Sequence, residues 1–446
     1  MHTSPTRRLG AHTSFLGGSM PISSIRGRAV SRSRRGPASR PAGSRPHPAR
    51  PALPSPPPPT PTAVDVTQLK AGAGADVHTQ PQGLTATFRV DSRNAPEPHA
   101  ATVRFTGQRL GVAGRRDRWD GFVHEEIIDQ VMPRNGPISL SARVYGVNPG
   151  HWSVQAELLT APTDADKARM YTRAAPPRTQ ALQPAGWSWR KWRLVEVPPH
   201  PLKSRWSRVL LLDPIPAVIP GSWAGLVALG VAIGIIIQAL LLPHAGLAFS
   251  TVLPVSLLAV VAGVAGGKFW YIALNWRTWR RAVGDGFCIQ GALTGAVAVG
   301  VVAVALIHVP IGLLLDTTAP GLFIGIAVGR LGCFFTGCCA GRPSSSRFAV
   351  WSSDRRVGAR RLPTQPLESL AALCIGLAGL VVVLHYRLAV PGADFVASMA
   401  AYTLCRQFIL RLRTEQRRSP LGSAVIAVAA AVVLCAAVVW MVFSVR

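Results

Sequence analysis

The sequence predicts an all-α polytopic membrane domain of about seven transmembrane helices, preceded by a small all-β, sandwich-like domain and a disordered amino-terminal tail. The membrane domain is predicted because no Asp, Glu, Lys or Arg occurs in residues 215–267 or 419–445. Each stretch exceeds the roughly 20 apolar residues that a bilayer span needs. Alternating apolar and polar residues predict the strands, and a stretch rich in Arg, Pro and Ser predicts the tail.

Charge and apolarity are segregated along the chain. Its 446 residues carry a formal net charge of +28, yet 15% of them are charged and 48% are hydrophobic. Residues 1–64 contain ten arginines and no acidic residue, so we interpret residues 1–63 as a disordered basic tail that cannot build a core. A simple soluble protein is excluded. Nucleic acid is not expected as a partner, because basic loops between membrane segments more often meet anionic lipid.

Short strands are predicted in residues 64–162, which we interpret as the sandwich-like domain. The alternating segments are 84–90, 101–105, 138–144 and, after a turn at 148–150, 152–156. No paired carboxylates, phosphate loop or histidine cluster stands out there, so the domain is interpreted as a binding or spacer module. Residues 163–214 are predicted to be a linker and juxtamembrane segment.

Residues 215–446 are predicted to form the seven-span membrane domain. The stretch 215–267 is too long for one helix, and Pro243-His244-Ala245-Gly246 divides it into two spans. The further predicted spans are 286–308, 311–333, 365–386, 391–411 and 421–443. All seven cysteines lie in this domain, which argues against a disulfide-stapled secreted module.

Charged residues within the spans need a reason, because a charge in a bilayer is costly. Asp316 and Arg330 bracket the fourth predicted span, and Arg406 lies inside the sixth. A guanidinium at the depth of Arg406 suits bidentate binding of a phosphate diester, the strong anion of a phospholipid. For Arg411 and Arg413 we prefer the simpler interpretation that they snorkel to the headgroups.

The densest run of unusual residues is 329–343, at the end of the fourth span. Its glycines and proline cannot continue a regular lipid-facing helix, so its backbone is expected to be buried in protein or to line a cavity. Arg330 and Arg342 flank this break. Together they are expected to hold an anionic headgroup where the span meets the aqueous loop.

This run resembles the hallmark sequence of the prolipoprotein diacylglyceryl transferases, integral membrane enzymes with seven spans. The matching positions are Gly329, Arg330, Gly332, Phe334, Gly337, Gly341 and Arg342. Four further segments resemble the family's motifs in the same order: Gly266-Gly267-Lys268 with Trp270-Tyr271, 286–292, Pro363-Thr364-Gln365 with Glu368, and Tyr402 with Arg406. The resemblance covers about residues 215–443.

The resemblance implies transfer of the diacylglyceryl group of phosphatidylglycerol to the lipobox cysteine thiol of a prolipoprotein, with release of glycerol phosphate. It implies no cofactor, and its partners would be phosphatidylglycerol, prolipoprotein precursors and membrane lipids. The implied catalytic residues are Arg330 and Arg406, which would clamp the phosphodiester, and Glu368. The implied substrate-binding residues are Gln290, Gly332, Gly337, Gly341, Arg342, Gln365 and Tyr402.

The family also implies a multi-pass protein of the cell membrane with its active-site loops on the outer side. The positive-inside rule predicts the opposite, because nearly all the loop arginines lie on the side of the motif loops. We follow the family, since arginines recruited to bind anionic lipid would distort such a count.

Several family groups that could move a proton are absent from this chain. The family's His is Gln290, its two Asn are Cys333 and Thr336, and its two Glu are Cys338 and Leu410. Gln290 can orient a substrate but cannot accept a proton at neutral pH. Either the arginines lower the pKa of the substrate thiol without a side-chain base, or the reaction is slow or lost.

Two other functions therefore stay open. One is a catalytically impaired relative that binds or transports phospholipid. The other is a membrane thiol-redox protein using Cys338 and Cys339, although such cysteines most often pack as small apolar residues. These two and Cys333 lack a fourth ligand, so no metal is expected. Glu368 is interpreted either as a base or as an anchor for Arg342 or a loop amide.

Overall fold

The computed structural model describes residues 82–92, 97–159, 179–207, 209–279, 286–385, 390–414 and 420–444. The predicted disordered tail, residues 1–63, lies outside these ranges. The described chain consists of a β-rich region followed by a helical region.

Two antiparallel sheets form the β-rich region. Their strands are β1 Gln82–Asp91, β2 His99–Arg109, β3 Gly121–Val131, β4 Pro137–Val147, β5 His151–Leu159, β6 Thr179–Ala181, β7 Gln183–Ser188, β8 Arg193–Glu196, β9 Leu202–Lys203, β10 Arg205–Trp206, β11 Val350–Ser353 and β12 Val357–Arg361. The first sheet has the order β11-β12-β4-β1-β7-β8, with β10 beside β1. The second has the order β3-β2-β5-β6, with β9 beside β5.

The two sheets share one apolar core because their strands alternate in polarity. Phe88 and Val90 of β1 are buried, while Arg89 between them is partly exposed. Phe88 meets Phe105 of β2 edge-on, with ring centroids 5.7 Å apart, and both belong to one cluster of buried residues. The predicted β-rich amino-terminal region is confirmed.

Strands also occur where the sequence does not predict them. Residues 163–214 are predicted as linker, yet Thr179–Trp206 forms β6 to β10, and the loop at 350–361 forms β11 and β12. Val357 of β12 lies opposite Leu140 of β4, so the helical region completes the first sheet. None of these strands exceeds six residues, which is too short for a periodic pattern to be recognised.

A buried carboxylate just before β3 links pH to the stability of the β-rich region. Asp120 is 4% exposed. It accepts hydrogen bonds from Asn148 Nδ2 at 2.8 Å, Arg109 Nη1 at 2.7 Å and the Asp117 amide at 3.0 Å. These bonds, with that of Asn148 as the largest cause, hold the pKa of Asp120 below its ordinary value.

We expect Asp120→Asn to lower the unfolding temperature of the full chain at about pH 7 and to have a smaller effect at about pH 2. A carboxyl whose pKa is depressed by folding stabilises above the pKa of the unfolded chain, and this contribution is lost as the pH falls through the folded pKa. Calorimetry in detergent at both pH values checks this, with the neighbouring Asp117→Asn as control. An equal loss at the two pH values would contradict the linkage.

Seven α-helices make up the described part of the helical region. They are α1 Ser222–Leu241, α2 Phe249–Leu274, α3 Ile289–Ile307, α4 Ile311–Thr336, α5 Thr364–His385, α6 Ala393–Ile409 and α7 Pro420–Ser444. Six of them are long and apolar enough to cross a membrane. α6 is not among these six, because it has only 17 residues; it also carries Asp394 and Arg406. A seventh span therefore stays a prediction.

The predicted break between the first two helices is present. Pro243–Ala245 forms a 3-10 turn, and Gly246 ends it with a left-handed φ of 68°. The chain leaves α1 and enters α2 through this turn.

Close glycine contacts position α4, the helix that carries Arg330. A Cβ on Gly230 of α1 would collide with the backbone of Gly325 of α4, and one on Gly321 of α4 with the backbone of Gly234 of α1. Small residues of this kind let two helix backbones approach closely. α1 thus fixes the depth and rotation of α4.

Candidate active site

Four side chains converge on the carboxylate of Glu368 in α5. Its Oε1 atom accepts from Arg406 Nη1 at 2.5 Å and from the Tyr402 hydroxyl at 2.9 Å, and it lies 3.0 Å from Arg330 Nη2. Its Oε2 atom accepts from Arg413 Nη2 at 2.6 Å. We call Glu368 and these four partners the arginine–carboxylate cluster.

The cluster combines burial with an excess of positive charge. Glu368 is 0% exposed and Arg413 is 4% exposed, whereas the side chain of Arg406 is 33% exposed. Among the described residues, Glu368 is the carboxylate that pairs with all three arginines. One carboxylate cannot neutralise three guanidinium groups, so the cluster favours an additional anion.

Local sequence explains why these side chains meet. Tyr402 and Arg406 are four residues apart on α6 and therefore share a helix face. Arg413 follows a 3-10 turn that continues α6. Arg330 lies near the carboxyl end of α4, and Glu368 lies in the first turns of α5, so the loop between these two helices must bring them together.

That loop is held by two glycines of the hallmark run and by Gln365 of α5. Gly337 ends α4 with a left-handed φ of 73°. A Cβ on Gly341 would collide with the Leu362 carbonyl, and Gln365 Nε2 donates to the Cys338 carbonyl at 2.8 Å. These predicted substrate-binding residues thus shape the backbone beside the cluster.

Arg342 binds backbone and is not a partner of Glu368. Its Nε donates to the Arg413 carbonyl at 2.9 Å, and its amide donates to the Leu412 carbonyl at 2.9 Å. The interpretation of Glu368 as an anchor for Arg342 is therefore wrong. Glu368 anchors the other arginines instead, because the loop turns Arg342 towards the end of α6.

Three other residues singled out in the sequence have described contacts with residues outside the cluster. Gln290 is the second residue of α3, and its Oε1 accepts from Cys288 Sγ at 3.2 Å. Gly332 packs α4 against α1, since its Cβ would lie 3.0 Å from Trp223 Cα. Asp316 accepts from the amides at the start of α6 at 2.6 and 3.0 Å, which caps that helix.

Arg413 is the cluster residue that the sequence analysis missed. The expectation that it snorkels to the headgroups is wrong, because it is buried and paired with Glu368. Its spacing of seven residues from Arg406, two helical turns, was the signal that could have placed both on one face. Arg411 is exposed, with its guanidinium 5.5 Å from the ring centre of Phe408.

Aromatic rings join the β-rich region to the end of α4. Trp192, in the turn between β7 and β8, stacks on Phe334 with ring centroids 6.0 Å apart. Trp192 Nε1 also donates to the Trp351 carbonyl of β11 at 3.1 Å. Phe334 lies four residues after Arg330 on α4, so this contact ties the β-rich region to a helix of the cluster.

Trp192→Ala is expected to lower the free energy of unfolding by about 2 kcal/mol, because a half-buried stacked ring and its hydrogen bond are lost. Thermal unfolding of the full chain in detergent measures the change. The matched control is Trp189→Ala, whose side chain is 44% exposed and should cost less than about 1 kcal/mol. Equal effects of the two substitutions would show that the junction does not depend on Trp192.

The described residues offer no metal centre. Within the ranges given above, no group of three or more His, Cys, Asp or Glu side chains could hold a metal ion. The chemistry available at the cluster is therefore that of guanidinium, hydroxyl and carboxylate groups.

Comparison with known proteins finds a family model that matches the helical region of this chain. A family model described as prolipoprotein diacylglyceryl transferase matches residues 219–444. A Dehalococcoides mccartyi protein named phosphatidylglycerol–prolipoprotein diacylglyceryl transferase is 30% identical over 140 residues, which are 29% of this chain and 54% of that protein.

Two further relatives carry the same printed name, one of them with the suffix 2. That protein, from Clostridium perfringens, is 31% identical over 177 residues, 37% of this chain and 67% of its own length. The Streptomyces griseus protein is 31% identical over 209 residues, 44% of this chain and 64% of its own length. The chain thus spans between about half and about two thirds of these relatives.

Proposed function

Because the chain belongs to the prolipoprotein diacylglyceryl transferase family, we propose that it transfers the diacylglyceryl group of phosphatidylglycerol to the cysteine thiol of a prolipoprotein. The observation that carries this proposal is the set of three arginines around one buried carboxylate. Their excess of positive charge suits a phosphodiester that gains negative charge as it leaves.

In the proposed reaction the prolipoprotein thiolate attacks the glyceryl carbon that carries the phosphate ester. A C–S bond forms, the C–O bond breaks, and its electron pair goes to the phosphate oxygen as glycerol phosphate leaves. Arg406 and Arg330 have guanidinium N–H groups beyond those that face Glu368, and their side chains are 33% and 15% exposed. These groups bind the phosphate oxygens in the transition state.

No histidine stands at the family's position, so the thiol loses its proton without one. Gln290 has no basic nitrogen and orients by hydrogen bonding only. A nearby positive field favours the thiolate form of a cysteine, whose ordinary pKa is about 8.5. We propose that the cluster supplies this field and that the proton passes to water.

Glu368 acts in this proposal as a positioning residue. Its two oxygens accept three hydrogen bonds and also pair with Arg330, which leaves Glu368 poorly placed to take a proton from a thiol. It instead holds the guanidinium groups of Arg330 and Arg406 where a lipid phosphate would bind. Gly337, Gly341, Arg342 and Gln365 support it by shaping the adjoining loop.

A second function is favoured by the substitution of the family's histidine with Gln290. A protein that keeps the phosphate clamp but cannot promote thiol attack would bind or carry phosphatidylglycerol without transferring its diacylglyceryl group. The two functions share the arginine–carboxylate cluster and differ in the product.

We also propose the finer architecture. The 17 residues of α6 rise by about 26 Å, close to the roughly 30 Å of a bilayer core, and would supply the seventh span. Two sheets around one core favour a sandwich-like domain. The pairing of β12 with β4 favours one side of the membrane for both the β-rich region and the loop after α4, and we assign that side to the outside of the cell membrane.

The test uses the purified full chain in vesicles of phosphatidylglycerol with a synthetic lipobox peptide. Mass spectrometry should find the peptide heavier by one diacylglyceryl group with the wild type. With Arg330→Ala or Arg406→Ala the rate should fall at least about 100-fold, whereas Arg411→Ala, at an exposed position, should retain it.

The lipid-binding function predicts a different result. Phosphatidylglycerol would then remain bound through purification of the wild type and be lost from Arg330→Ala, while the peptide stays unmodified. An unmodified peptide together with absence of bound phosphatidylglycerol would reject both functions.

A further inference from the structure

Three thiols meet at the end of α4, beside the arginine–carboxylate cluster but outside the proposed reaction. Cys333, Cys338 and Cys339 are neighbours in the turn that ends α4. The Cys338 amide and thiol both point to the Cys333 carbonyl, at 3.1 and 3.7 Å. The turn after α4 therefore folds residues 338 and 339 back onto the last turn of the helix.

The three sulfur atoms differ in exposure and in hydrogen bonding. Cys333 is 6% exposed, while Cys338 and Cys339 are half-buried. The neighbouring thiols of Cys333 and Cys338, together with the guanidinium groups of Arg413 and Arg330, hold the pKa of Cys339 well below its ordinary value. Cys339 is thus an accessible nucleophile next to a buried thiol.

The backbone holds this arrangement in place. Cys339 has a left-handed φ of 56°, uncommon for a residue with a side chain. The Thr364 hydroxyl donates to the Cys339 carbonyl at 3.2 Å, and Gln365 donates to that of Cys338. Both donors begin α5, the helix that carries Glu368. Packing of small apolar thiols alone does not require such a constrained turn.

We propose that Cys339 and Cys333 form a reversible disulfide by exchange with a low-molecular-weight disulfide. The Cys339 thiolate attacks one sulfur of the reagent, forming a mixed disulfide and releasing one thiolate. Cys333 then attacks the Cys339 sulfur, the protein disulfide closes, and the second thiolate leaves. The protein loses two electrons and two protons, which the reagent gains as two thiols.

This inference does not rest on the proposed transfer, because its product is measured on the protein itself. Trypsin cuts after Arg330 and poorly before Pro343, so residues 331–347 form one peptide that contains all three cysteines. The reduced full chain in detergent is incubated with oxidised glutathione, blocked with N-ethylmaleimide and digested.

In the wild type we expect this peptide to carry one maleimide group in place of three and to lose two hydrogens. Cys338→Ser should keep the disulfide and carry no maleimide group. Cys339→Ser and Cys333→Ser should each form no disulfide. Cys374→Ser, on the exposed surface of α5, is the matched control and should behave like the wild type.

Three results would overturn the assignment. They are three maleimide groups on the wild-type peptide after oxidation, a disulfide that survives Cys339→Ser, and a disulfide that is lost in Cys338→Ser. Glutathione that stays on Cys339 in the wild type would likewise reject Cys333 as the second thiol.

Discussion

Glu368→Gln is expected to lower the free energy of unfolding of the full chain by about 3–5 kcal/mol and to abolish the proposed diacylglyceryl transfer. The amide keeps the shape of the carboxyl group but removes its charge. Three guanidinium groups, two of them nine-tenths buried or close to it, would then lie together without a counter-charge. Arg330 and Arg406 would move apart and no longer present a joint site for phosphate.

Thermal unfolding in detergent and the lipobox-peptide assay measure these two losses. Glu125→Gln is the matched control, because Glu125 pairs with Arg104 at 2.8 Å but its side chain is 47% exposed. Exposed pairs of this kind contribute less than about 1 kcal/mol. Unchanged stability of Glu368→Gln would mean that the arginines do not depend on this carboxylate.

Arg413→Ala should lower the free energy of unfolding by about 3 kcal/mol, because it leaves one oxygen of the buried Glu368 without its partner. Arg413→Lys should recover only part of the loss, since a lysine amine cannot reproduce the planar guanidinium. Transfer should fall with Arg413→Ala, as Glu368 would no longer be held in place.

Arg411→Ala supplies the comparison, two residues away. Arg411 is exposed, so the free energy of unfolding should change by less than about 0.5 kcal/mol. If Arg411→Ala and Arg413→Ala cost the same, both arginines would act at the surface and the earlier expectation of snorkelling would hold for each.

The helices were predictable because a long uncharged segment is stable in a bilayer as a membrane-spanning helix. The break at Pro243 and the ends near Ile311 and Thr364 follow from proline and glycine chemistry. α6 was the weakest prediction, since Asp394 and Arg406 interrupt its apolar character.

The site was predictable in its parts but not in its pairing. The hallmark run predicts Arg330, and helical spacing places Tyr402 beside Arg406. Which arginine meets Glu368 depends on how three helices and a loop pack, and no local pattern encodes that. For this reason the sequence analysis offered Arg342 as one possible partner of Glu368 and did not identify Arg413 as a partner.

The long-range strands were also beyond local analysis. β12 has five residues, and the strand with which it pairs lies on the far side of four helices in the chain. Sheets joined across such separations leave no periodic signal in either segment. The same holds for Trp192, which lies in a stretch interpreted as linker.

β4 and β12, which pair in the first sheet, are synthesised at widely separated times. Roughly 200 residues separate β4 from β12, so at about 5–20 residues per second β4 waits about 10–40 s as an open edge. The ribosome makes α1 to α4 in that interval. A nascent chain in which one of these four helices fails to span would leave β12 on the side of the membrane opposite β4. The unfinished sheet would then mark that chain for quality control before α5 is complete.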